Sequence, residues 1–174
     1  NRLNSIDNAK IYLEEIIKYY IMSRFSTEAI ISLGKICLLK NEINKAEELF
    51  NLLNTSGNRN SGISGDNSGV QKNTGRYYSS LCLFFKNDFD SAKTLLSEIS
   101  IDSKDNLAND ALEMMLIINS SMNDSINLSK LSEAEYSIFR EDYTKAMALL
   151  KDVILDSKAF LLKDFANLRI AEIL

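Results

Sequence analysis

The chain has 174 residues, of which 45% are hydrophobic, with 24 acidic and 20 basic side chains, a formal charge of -4 and no histidine. That suits one domain with a sizeable core, and charge scattered in short alternating groups leaves no basic stripe for a phosphate backbone, so nucleic acid is excluded as an expected partner. Without histidine there is no imidazole metal site, no Ser/His/Asp triad and no Cys/His nucleophile pair.

The chain opens at Asn1 without an initiator methionine or a signal peptide, which reads as a mature or excised piece. Helical periodicity then runs from Asp7 to about Tyr20, with Ala9, Leu13, Ile16, Ile17 and Tyr20 on one side. A second helix is predicted from Ser26 or Thr27 through the stripe Ile30, Leu33, Gly34, Cys37 and Leu38. Gly34 inside it costs about 1 kcal/mol relative to alanine, which a closely approaching neighbour helix would offset. A third covers Ile43 to Leu53.

Residues 54–75 hold five of the six glycines among serines and asparagines, with Ile63 and Val70 as the sole large apolar side chains, and are expected to be a flexible insertion. Phosphate cradling would need a GxxxxGK[ST] pattern after a strand, and neither is present. Further helices are predicted at Arg76–Lys86, Phe89–Ile99, Leu107–Ile118, Leu128–Arg140, Tyr143–Ile154 and Ala159–Leu174. The third of these, Leu107–Ile118, ends in the continuous apolar run Met114 to Ile118, which calls for neighbours on more than one side. There the methionines read as gap fillers. No run approaches the roughly eighteen uncharged apolar residues of a membrane span. Cys37 and Cys82 occupy corresponding places near the ends of first helices and read as small core side chains, with a disulfide or redox role as the alternative.

Three segments share one order of residue types: Lys40-Asn41-Glu42-Ile43-Asn44-Lys45-Ala46, Lys86-Asn87-Asp88-Phe89-Asp90-Ser91-Ala92 and Arg140-Glu141-Asp142-Tyr143-Thr144-Lys145-Ala146. Each lies between apolar helical runs, as a tight turn between antiparallel helices requires when the second helix packs closely at its alanine.

These hairpins resemble the tetratricopeptide repeat. Leu33-Gly34, Ala46, Phe50 and Leu53 follow the family's order of leucine, glycine, alanine, aromatic and closing apolar residue. Ser80, Ala92, Leu96 and Ile99 repeat it from the glycine onward, as do Ala134, Ala146, Leu150 and Val153. The family's closing proline is missing throughout, and its glycine is kept once. The resemblance implies an all-α fold, one domain over residues 1–174, in which antiparallel hairpins stack as a short right-handed α-solenoid. It also implies a non-catalytic scaffold or adaptor without cofactors, holding a protein or peptide in a concave groove. The family's groove positions fall on Ile31, Lys35, Leu38 and Leu39, on Tyr77, Leu81, Phe84 and Phe85, and on Leu131, Glu135, Ile138 and Phe139. Too few of these are basic or asparagine to clamp a terminal carboxylate, so a helix or hydrophobic segment is the expected ligand.

The alternative is a purely structural segment whose apolar sides contact other repeats of a longer polypeptide. Residues 107–112 and 166–174 also resemble stretches of large helical-repeat proteins of bacterial envelopes, which would put the chain in the periplasm or envelope. An enzyme would have to work with carboxylates, and Glu14/Glu15, Glu47/Glu48, Glu133/Glu135 and Asp152/Asp156 are the pairs available. They sit among lysines as on any solvated face, with nothing to split their pKa values.

Overall fold

The structure is a computed structural model that describes residues 2–20, 24–55, 67–99 and 107–174. Among these residues there are nine helices and no strand: α1 (Arg2–Tyr19), α2 (Arg24–Leu39), α3 (Ile43–Thr55), α4 (Asn67–Phe85), α5 (Phe89–Ser97), α6 (Leu107–Ser121), α7 (Ser125–Phe139), α8 (Tyr143–Leu155) and α9 (Leu162–Ile173). Consecutive helices pack against one another; α4 also touches α6 and α7, and α7 touches α9.

The three repeated segments are one turn built three times. Asn41, Asn87 and Glu141 adopt φ of 65°, 63° and 62°. Their N–H groups donate to the carbonyls of Leu38, Phe84 and Ile138, and the N–H groups of the acidic residues that follow donate to Cys37, Leu83 and Ser137. That pair of bonds is the left-handed helix stop known as the Schellman motif, which satisfies the last carbonyls of the first helix. The acidic residue then starts the next helix. Asp88 and Asp142 accept the N–H groups of Ser91 and Lys145 at 3.3 and 3.2 Å.

The first i to i−4 bond of each second helix runs from Ala46, Ala92 or Ala146 to Glu42, Asp88 or Asp142, in each case at 3.0 Å. Each alanine therefore sits one helical turn past the stop, against the helix just left, and all three are 0% exposed. Asp124 caps α7 in the same way, accepting from the Asn127 N–H. There Leu128 takes the alanine's place, and α6 and α7 meet along much less of their length.

Two core clusters result. One gathers Cys37, Leu38, Ala46, Phe50 and Cys82, and Tyr136 of α7 belongs to it. The other centres on Phe84, Leu96, Ile118, Leu131 and Leu150. Gly34 sits where its neighbour helix comes closest: a Cβ there would lie 2.4 Å from Cε1 and from Cζ of Phe50 on α3.

The insertion expected at 54–75 is shorter than its composition suggests. Residues 56–66 lie outside the described residues, but α4 begins at Asn67, nine residues before the predicted start. Asn73 and Gly75 within it are buried, Gly75 against α3. A Cβ at Gly75 would stand 2.7 Å from the Leu53 Cβ and 3.0 Å from the Phe50 carbonyl oxygen. Glycine here marks a close helix crossing rather than a free loop, and packing outweighs its poor helix propensity.

Candidate functional site

Helices α2, α4, α6, α7 and α9 enclose a pocket of about 480 Å³. Nine of the twelve groove positions line it: Lys35, Tyr77, Leu81, Phe84, Phe85, Leu131, Glu135, Ile138 and Phe139. Ile31, Leu38 and Leu39 do not line it, and Leu38 is wholly buried in the first core cluster. Phe84 and Leu131 are buried too, at 2% and 0% exposure, so they form the floor while the others make the walls. The walls are held by ring contacts. Tyr78 stacks on Phe50 with centroids 5.0 Å apart, and Phe85 stacks on Tyr136 at 4.8 Å.

Tyr136 also ties one side of the pocket to the first hairpin. Its hydroxyl donates to the Leu38 carbonyl at 3.0 Å and lies the same distance from Asn41 Oδ1. Two helix ends far apart in sequence are joined there by a buried hydrogen bond, worth about 1 kcal/mol while made and more if one partner is removed.

Seven lining residues fall outside the sequence reading: Tyr78, Leu107, Asp110, Glu113, Met114, Ile117 and Arg169. Five come from α6, the helix without a hairpin partner. Leu107, Asp110, Met114 and Ile117 recur at helical spacing, so one face of α6 covers the pocket while Ala108, Ala111 and Ile118 face the core. The all-round apolar character of residues 114–118 was the available signal. Nothing local marks Arg169.

Arg169 links three helices at the pocket. Its Nε donates to Glu135 Oε1 on α7 at 2.6 Å, Nη1 to Glu172 Oε2 on α9 at 2.9 Å, and Nη2 to Glu113 Oε1 on α6 at 3.3 Å. The planar fork of donors suits this division among acceptors. Burial pushes the Glu135 carboxyl above the ordinary carboxylate range, with the Arg169 guanidinium pulling it back, and the guanidinium stays protonated. Burial, followed by Asp110, Tyr78, Glu113 and Glu135, also raises the Tyr77 phenol.

In each carboxylate pair weighed for catalysis at least one member is engaged elsewhere. Lys45 pairs with Glu14 at 3.6 Å, Lys86 with Glu47 at 2.9 Å and Lys145 with Glu133 at 2.7 Å. Asp156 accepts from the Lys158 N–H and from Asn127 Nδ2. Among the described residues no three Cys, Asp or Glu side chains are grouped to hold a metal ion. Cys37 and Cys82 are free and buried, and burial pushes the Cys82 thiol up to about 12. No described helix is long and apolar enough to cross a membrane.

No family model matches this chain, nor does any curated protein or solved structure compared with it. The described residues define an all-helical protein of packed hairpins that carries a mixed apolar and charged pocket.

Proposed function

We propose that this chain is a non-catalytic interaction module, a degenerate tetratricopeptide-type array whose concave side takes a segment of another protein. The observation that carries the proposal is the convergence of nine groove positions from α2, α4 and α7 on one pocket, although they are dispersed between residues 35 and 139. The pocket is wide enough for large side chains, aromatic on its walls and edged with a few charges, as recognition sites are.

Selection of short random peptides on the immobilised protein tests this. The peptides recovered should bind the wild type and lose at least about tenfold in affinity to Leu81→Trp, which fills the pocket, while the circular-dichroism melt stays unchanged. Peptides that bind both proteins equally, or no recovered peptide at all, would reject the pocket as a binding site.

A structural segment of a larger repeat protein is the alternative, supported by exposed apolar side chains on the outermost helices. Tyr12 and Tyr19 of α1 are each 67% exposed, and Leu168 of α9 is 50% exposed. Further helices would cover such faces.

A further inference from the structure

The charges in the pocket narrow the chemistry of its occupant, given the peptide-binding role just proposed. Three carboxylates, Asp110, Glu113 and Glu135, interrupt the apolar wall, against two cations, Arg169 and Lys35. Of the two, only Arg169 is paired with carboxylates among the described residues. Arg169 spends its fork on Glu135, Glu172 and Glu113, and the Lys35 ammonium lies 5.0 Å from the centroid of the Tyr78 ring. The Asp110 side chain, by contrast, has no hydrogen bond or ion pair among the described residues and stands exposed at the start of α6. Glu113 gives Arg169 the longest of its three contacts, at 3.3 Å. With three carboxylates against two cations the lining carries a net charge of -1, so an anionic side chain entering here meets more like charge than opposite charge.

The apolar wall adds to the same preference. Tyr77 packs edge-on against Tyr78 with centroids 5.5 Å apart, so aromatic rings from α4 line the same pocket as the carboxylates of α6 and α7. Burial above all, then the neighbouring Asp110, Tyr78, Glu113 and Glu135, raises the Tyr77 phenol, in keeping with carboxylates placed around it. Aromatic faces and carboxylates together attract a cation more than either does alone. The methylene stem of a lysine or arginine would also bury on the leucine and isoleucine side chains.

We propose that the pocket receives a lysine or arginine side chain presented on an otherwise apolar segment of a partner protein, with the charged end at Asp110 and Glu113 and the stem along Tyr77 and Leu81. The test uses the peptides recovered in the selection above. These should be enriched in one basic residue between apolar neighbours. Titration calorimetry of the tightest peptide, and of the same peptide with norleucine for that residue, should show about a tenfold loss on losing the charge. Asp110→Asn combined with Glu113→Gln should weaken the basic peptide by a similar factor and leave the norleucine peptide unaffected. The double variant keeps the Glu135 and Arg169 pair, so its melt serves as the folding control. Equal affinity of the two peptides, or pocket-dependent peptides without a basic residue, would overturn the inference and leave the binding role standing. Peptides insensitive to Leu81→Trp would overturn the binding role itself.

Discussion

Replacing Gly34 by alanine should destabilise the protein even though alanine is the better helix former. The added Cβ would lie 2.4 Å from two atoms of the Phe50 ring and 3.1 Å from a third, Cδ1. Ordinary carbon contacts are about 3.5–4.0 Å, so the ring has to retreat by about 1 Å. Phe50 is 0% exposed and stacked on Tyr78, which leaves it no open space to enter. Overpacking of this kind costs about 1–3 kcal/mol, against a helix-propensity gain of about 1 kcal/mol. The net loss should be up to about 2 kcal/mol, or up to about 8 °C in Tm for a chain of this size. The matched control is Gly69→Ala in α4, where nothing lies within 4 Å of the new Cβ; there stability should rise by a few tenths of a kcal/mol to about 1 kcal/mol. Urea melts of both variants, of Phe50→Leu and of Gly34→Ala combined with Phe50→Leu complete a double-mutant cycle in which the smaller side chain recovers part of the loss. If Gly34→Ala raised the midpoint as Gly69→Ala does, the close approach of α2 and α3 would be refuted.

Glu141 holds φ of 62° without the side-chain tolerance of Asn41 and Asn87 in the sister turns, so Glu141→Asn should stabilise by about 0.5–1 kcal/mol, read as a higher Tm; a lower Tm would mean that the turn is not strained. Cys37 and Cys82 are buried and their thiols raised, so a thiol reagent at pH 8 should label neither until denaturant is added; fast native labelling of Cys82 would contradict its placement. The Asp156 carboxyl is held below its ordinary range by the Lys158 N–H and then by the Asn127 amide. A depressed acid contributes stability above its unfolded pKa and loses it as pH falls through the folded one, so Asp156→Ala should flatten the acid limb of the stability curve below about pH 4 and leave its slope at pH 7 unchanged.

The hairpins were legible because a Schellman turn needs local chemistry: a residue that tolerates positive φ, an acidic cap, and a small residue one helical turn later. Asn41 and Asn87 supply the first, Asp88 and Asp142 the capping bond, and the buried alanine recurs in all three segments, while Glu141 takes the same turn without that tolerance. The start of α4 was not legible, because Asn67 to Gly75 has the composition of a loop, although Gly75 lies tight against Leu53 and Phe50 within the helix. In the pocket, the share from α2, α4 and α7 followed from the repeat. The share from α6 and α9 did not, since Asp110, Glu113 and Arg169 read locally as solvated surface charge and meet only through tertiary packing.

The most direct test of the central claim is photo-crosslinking from inside the pocket. A benzophenone amino acid replaces Ile138, which lines it, or Leu155, which does not and is 81% exposed on α8. With a recovered basic peptide present, crosslinks should form from position 138, be competed by excess unlabelled peptide, and be absent from position 155. Equal labelling from both positions, or labelling from 155 alone, would contradict the account.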